Sequence, residues 1–296
     1  MSIKTFWKAS IPNKLLIIFP LIWITLAVFF TFYDLTISKF LFDSDSLVGN
    51  FVEYFGEIPG IFFVLFAIFT LGTNLNIKNK NYKKLFFLGE VLISTGLILY
   101  LIRLFFNYLN FSFHFISLNG LTLGLSAILV SLLLFYLMKT KFSKFSEKNN
   151  SFAKLSVILL FISGFIVEVL KFMWGRVRFR DLQEGITSFT SWYLPQGLTG
   201  SQSFPSGHAF LGWILIPLFL LFLNKNELKK WIFLILTIIF GVFVSYERIV
   251  VGAHYASDVL FSWGIVTITF LILYNRYFPK KKIFPTMKKK KSKKRN

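Results

Sequence analysis

Residues 15–33 read LLIIFPLIWITLAVFFTFY, 19 residues without one charged side chain. A helix needs about 20 mostly apolar residues to cross the roughly 30 Å hydrocarbon core of a bilayer, so this stretch predicts a membrane span. Lys14 precedes it and Asp34 follows it, so the apolar run ends sharply on both sides. The same criterion predicts further spans at 58–74, 85–106, 118–138, 152–171, 206–223, 231–247 and 258–275. The sixth is short and contains Pro217, and the third carries Glu90 and Arg103, so eight is the expected count and six the alternative. The expected fold is an all-α polytopic integral membrane helix bundle. Basic residues precede the first run as they do in a signal peptide, but the run is long and lacks a small-x-small cleavage site, so a retained anchor is expected.

Composition agrees. Of 296 residues, 55% are hydrophobic and 16% charged. Disorder needs the opposite balance, and soluble domains carry about a quarter charged residues. There is no cysteine, which excludes disulfides, Cys-ligated zinc, iron–sulfur clusters and thiol nucleophiles.

The formal charge of +20 is unevenly placed. Lysines gather at 4–14, 78–84, 139–148 and 225–230, and residues 276–296 hold 11 basic residues and no acid. If every predicted span crosses, all these segments face one side, and the positive-inside rule makes that side the cytoplasm. The opposite loops hold Asp34, Asp43, Asp45, Glu53, Glu57, Asp181 and Glu184. A basic end beside a span anchors to anionic lipid, so no nucleic-acid partner is expected. The expected location is the inner or plasma membrane, with both termini cytoplasmic.

Three polar clusters follow residue 170, at predicted span ends on the outer side. The first is Lys171, Arg176, Arg178, Arg180 and Asp181. Cations outside oppose the usual bias, so they suit an anion such as phosphate; snorkelling to lipid headgroups is the plainer reading. The second is Pro205-Ser206-Gly207-His208, a tight turn before a helix. The free amides of a helix start can hold an oxyanion, although serine is also an ordinary helix cap. The third is Arg248, His254 and Asp258. His254 and Asp258 share a face if helical, and a carboxylate on one imidazole nitrogen leaves the other free to attack. A buried histidine satisfied by its neighbour would look the same. Taken together, the clusters supply what metal-free phosphoryl transfer needs: cations for the equatorial oxygens, a nucleophile and a proton donor.

The order Lys, six residues, Arg; then Pro-Ser-Gly-His; then Arg, five residues, His, three residues, Asp resembles the type 2 phosphatidic acid phosphatase superfamily, over roughly 165–275. The resemblance implies that His254 is the nucleophile, Asp258 orients it and His208 protonates the leaving group. It implies that Lys171, Arg178, Ser206, Gly207 and Arg248 bind phosphate, with no metal and no cofactor. Phe179 stands where the family usually has Pro, and Glu247 where it usually has Ser. The signature also occurs in soluble vanadium haloperoxidases, which the apolar spans argue against. Expected domains are N-terminal membrane spans at 1–150, a catalytic membrane region at 151–278 and a basic cytoplasmic tail at 279–296. The expected function is hydrolysis of a lipid phosphate or pyrophosphate through a phosphohistidine on the extracytoplasmic face. The partners are a phosphorylated membrane lipid and the bilayer. A non-hydrolytic transporter or flippase is the alternative, disfavoured because its charges would lie at mid-membrane.

Smaller expectations concern single residues. Glu168 is placed to pair with Lys171. Glu90 and Arg103 are expected to face the bundle. His114 is expected to be interfacial, and Trp192 and Tyr193 to belong to an aromatic belt.

Overall fold

The computed structural model describes residues 11–73, 79–109, 118–183, 188–223 and 225–278. The expectations for His114, Glu184, Lys78 and the tail at 279–296 lie outside the described residues.

Ten α-helices follow one another: α1 (Ile11–Leu41), α2 (Leu47–Phe55), α3 (Ile58–Gly72), α4 (Lys80–Tyr108), α5 (Leu118–Thr140), α6 (Ser143–Lys148), α7 (Asn150–Trp174), α8 (Gly207–Trp213), α9 (Glu227–Val250) and α10 (Ala256–Tyr277). Two 3₁₀ helices, Phe179–Asp181 and Ile216–Phe222, complete the described elements. Among the described residues, seven helical stretches are long and apolar enough to cross a membrane. The chain is a multi-pass membrane protein with an all-α bundle.

Hydropathy located the spans within a few residues, with two differences. α1 has 31 residues, about 46 Å at 1.5 Å per residue. It outlasts the hydrocarbon core, and its last turns bury Asp34 and Ser38 against protein. The expected sixth span is not one continuous helix. It is a seven-residue α-helix followed by a seven-residue 3₁₀ helix. Pro217 causes the break: its ring cannot donate a backbone hydrogen bond and collides with the preceding turn. A 3₁₀ helix rises about 2.0 Å per residue, so the broken segment still reaches along its neighbour.

That neighbour is α9. Trp213 donates to Ser245 Oγ at 3.1 Å, and further along Phe222 stacks on Phe233 with centroids 4.6 Å apart. Gly241 makes the close approach possible. A Cβ there would lie 2.6 Å from the Trp213 ring.

The core runs between α1, α3, α7, the broken segment and α10, through Phe63, Leu155, Leu159, Ile214 and Val266. Glu90 is buried against Gly72 while Arg103 is exposed, so only the glutamate faces the bundle. Trp192 does not lie free in a belt. It donates to Ala27 O at 3.1 Å and Thr31 Oγ1 at 3.0 Å, which docks the loop before α8 onto α1.

Gly241→Val should lower the melting temperature of the detergent-solubilised protein by several degrees, since overpacking a filled contact costs about 1–3 kcal/mol. Gly124→Val, where a Cβ meets nothing within 4 Å, should leave it unchanged. Thermal scanning of both variants checks this.

Candidate active site

Three chain segments converge at one end of the bundle. α7 stops at Gly175, which caps it with φ +50°. Lys171 lies in the last turn and pairs with Glu168 at 2.8 Å, as its spacing predicted. The chain then runs past Arg176 to Arg178 and the 3₁₀ turn at Phe179–Asp181. α8 begins at Gly207, capped by Ser206, whose Oγ accepts from Ala209 N at 3.3 Å. Gly207 keeps room for the lysine, because a Cβ would lie 2.9 Å from Lys171 Nζ. The turn between α9 and α10 depends on Gly252, at φ +67°. A side chain there would strain the backbone and collide with the Phe42 ring at 2.7 Å.

His254 sits in that turn, ahead of α10, so the shared helix face with Asp258 does not form. Its Nδ1 lies 2.6 Å from Ser203 O and 3.8 Å from Asp258 Oδ2. A carbonyl only accepts, so Nδ1 carries the hydrogen and Nε2 keeps a free lone pair. The carbonyl thus shares the orienting role expected of Asp258 alone. Asp258 is held by Arg176 Nη1 at 2.6 Å, Ser203 Oγ at 2.6 Å and Tyr255 N at 2.9 Å. Burial pushes the His254 pKa down to about 4, and the positive Arg248 and Arg178 push the same way against the opposing pull of Asp258. The imidazole is neutral at physiological pH.

The cations divide into two kinds. Arg176 and Arg180 are fully engaged by protein: Arg176 by Asp258 and by Asp34 at 2.8 Å, and Arg180 by both carboxylate oxygens of Glu53, each at 2.9 Å. Arg178 Nε and Arg248 Nε and Nη1 are buried donors with no protein hydrogen-bond acceptor. Arg248 Nη1 comes only within 3.6 Å of Glu53. Buried guanidinium donors are costly unless paired, so these point to an anion.

His208 faces two acceptors. Nδ1 lies 3.0 Å from Glu57 Oε1 and Nε2 lies 2.9 Å from the Glu53 carbonyl. Both contacts are hydrogen bonds only when the ring carries hydrogen on both nitrogens. Tyr100 donates to the other oxygen of Glu57 at 2.5 Å.

The sequence departures sit without conflict. Phe179 packs edge-on against Phe42 with centroids 5.2 Å apart. Glu247 is buried and makes no ion pair with Lys171, Arg178 or Arg248 among the described residues. No set of three His, Asp or Glu side chains among the described residues is arranged to hold a metal ion.

Sequence reasoning brought together Lys171, Arg178, Ser206, Gly207, His208, Arg248, His254 and Asp258, and the structure places them at one end of the bundle. It missed what Asp34, Glu53, Glu57, Tyr100 and Arg176 do. The available signal was the gathering of acids at outer span ends.

Residues 152–282 match the family model of the PAP2 superfamily. This region is similar to that superfamily. No curated protein and no solved structure matches the chain. The similarity indicates phosphatase or phosphotransfer chemistry, often on lipids. The PAP2 region contains all three motifs, while Asp34, Glu53, Glu57 and Tyr100 lie outside it.

The depressed His254 pKa has a signed consequence. An ordinary histidine, near 6.5, is mostly protonated at pH 5.5, whereas His254 stays neutral until the pH nears 4. The stability that this burial-favoured neutral form contributes is present above pH 6.5 and lost as the pH falls toward 4. Single-turnover phosphatase activity should therefore persist at pH 5.5 and collapse only near pH 4. Rapid-quench measurement across that range checks it.

Proposed function

We propose that this protein hydrolyses the phosphate or pyrophosphate of a membrane lipid on the extracytoplasmic face, through a phosphohistidine on His254. The observation that carries the reading is the set of buried, acceptorless donors on Arg178 and Arg248 beside a histidine whose free nitrogen is Nε2. Such donors suit the equatorial oxygens of a phosphoryl group in transfer, and Lys171 and the Gly207 amide add to them.

His254 Nε2 attacks phosphorus. The P–N bond forms as the P–O bond to the lipid breaks, and the departing oxygen takes its proton from His208. Water then attacks the phosphohistidine and gives a proton back to His208, the P–N bond breaks, and inorganic phosphate leaves. The protons balance over the two steps. Positive side chains do the work of charge neutralisation, so the sequence needs no cofactor.

A lipid substrate suits the setting. The bundle around the site exposes large apolar side chains such as Phe165, at 72%, and Phe172, at 67%. The tail of an amphiphile can stay against these while its phosphate reaches the cations. We also infer that 151–278 is the catalytic membrane region, with 1–150 supporting it and 279–296 a cytoplasmic tail.

His254→Ala should abolish phosphate release from a panel of lipid phosphates in detergent, because no neighbouring side chain replaces Nε2. Asp258→Asn should retain substrate binding and lower the rate by one to two orders of magnitude, since Ser203 O still holds the ring. Near wild-type turnover by His254→Ala would overturn the nucleophile assignment.

Sidedness follows from charge. The chain has no native cysteine, so a single probe thiol is unambiguous. Leu198→Cys, at a position 74% exposed, should react with an impermeant thiol reagent in intact spheroplasts. Ser292→Cys, in the lysine-rich end, should react only after lysis. The reverse pattern would put the site in the cytoplasm.

A further inference from the structure

His254 and His208 are each oriented, but by different parts of the chain. The nucleophile is held from within the PAP2 region, by Ser203 and Asp258. His208 is held from outside it, by Glu57 at the start of α3, and Glu57 is itself held by Tyr100 of α4. Glu57 is 6% exposed. A carboxylate withdrawn this far from water needs partners, and it has two, one on each oxygen. Tyr100 is exposed over much of its ring, at 38%, yet its hydroxyl turns inward to the carboxylate. A tyrosine here is therefore anchored by its hydroxyl rather than by burial.

The second ring nitrogen of His208 meets the carbonyl of Glu53, in the last turn of α2. Carbonyls of a helix's last turn lack intrahelical partners and carry a partial negative charge. The imidazolium therefore has a full negative charge on one side and a partial one on the other. Of the two acceptors, the carboxylate is the stronger and holds Nδ1, so Nε2 is the nitrogen that can exchange its acceptor for a substrate oxygen. A cation shares the same space: Lys171 Nζ and Glu57 Oε1 flank Gly207, at 2.9 and 4.0 Å from where its Cβ would be.

We propose that Glu57, anchored by Tyr100, is the positioning residue that holds His208 Nδ1 and so presents Nε2–H to the leaving oxygen. This rests on the reading of His208 as the proton donor. The arrangement parallels the nucleophile side, where the Ser203 carbonyl fixes one nitrogen so that the other can act. It also gives the N-terminal spans a part in the reaction that the three motifs do not contain.

A proton donor matters only when the leaving group is a poor one, which separates this role from a structural one. The test uses the full-length protein in detergent with two probes: a long-chain alkyl phosphate, whose alkoxide must be protonated to leave, and p-nitrophenyl phosphate, whose phenolate need not be. The readout is the alkyl-to-nitrophenyl ratio of kcat. His208→Asn should lower that ratio by about a hundredfold or more, the usual scale of acid catalysis. Glu57→Gln, which keeps the shape and removes the charge, should lower it by about tenfold or more, and Tyr100→Phe should lower it less in the same direction. If His208→Asn lowers the ratio and Glu57→Gln does not, the positioning role is overturned while the acid assignment stands. If His208→Asn slows both probes equally, the acid assignment falls and this proposal falls with it. Should Glu57→Gln fail to fold, Tyr100→Phe decides alone: a lowered ratio supports the role, and an unchanged ratio overturns it.

Discussion

Arg176 is fully buried, and its fork joins Asp34 of α1 to Asp258 of α10 at 2.8 and 2.6 Å. Ser257 shares the same guanidinium at 2.8 Å, and the Tyr255 ring lies beneath it at 4.0 Å. Two carboxylates this close would repel in a low dielectric, and the charge between them turns repulsion into a three-body clamp. Removing one partner of such a buried group costs about 3–5 kcal/mol, because the other is left uncompensated. The rest of the site depends on this clamp. Asp258, fixed by Arg176, fixes Ser203, and Ser203 supplies the carbonyl that orients His254. The first span is thus tied to the turn that carries the third motif.

A second set of acids works across the same space. Glu53 engages Arg180 with both oxygens, and Glu57 engages His208. The acids come from the N-terminal spans and the cations come from the later half. Among the charged groups of the described residues, the buried donors left unpartnered are Arg178 Nε and Arg248 Nε and Nη1. The protein satisfies the charges that build the site and leaves those that suit a phosphoryl group. In an environment with little water, each such donor counts for more than it would at a soluble surface.

The bundle inverts the soluble pattern. Its outward faces carry Leu21, Phe32, Phe40, Leu121 and Leu129, all more than half exposed, while Ser94, Ser131 and Ser163 are buried. With apolar lipid outside, hydrophobic contrast does not drive helices together, so close packing and small residues do. Gly60 shows this directly: it lies against the backbone of Leu211, where no side chain would fit. The same closeness brings α3 beside α8, which sets Glu57 next to His208.

Hydropathy by itself determined the membrane class and the helix positions, because the cost of exposing backbone in lipid forces long apolar runs into helices. It misjudged the segment at 206–223 only in regularity, since apolarity says nothing of how Pro217 breaks a hydrogen-bond ladder. The residues of the three motifs were legible because each motif is local, with its partners a few positions apart. Glu53, Glu57 and Asp34 were visible only as acids on one side of the membrane. Their tasks span 127 residues from Glu53 to Arg180 and 142 from Asp34 to Arg176. A separation of that size is set by which helices pack and how each is rotated, and neither is encoded in local spacing. The sequence determined which motif residues carry the charges and imidazoles and that they lie at span ends; tertiary packing alone decided which carboxylate holds which histidine and arginine.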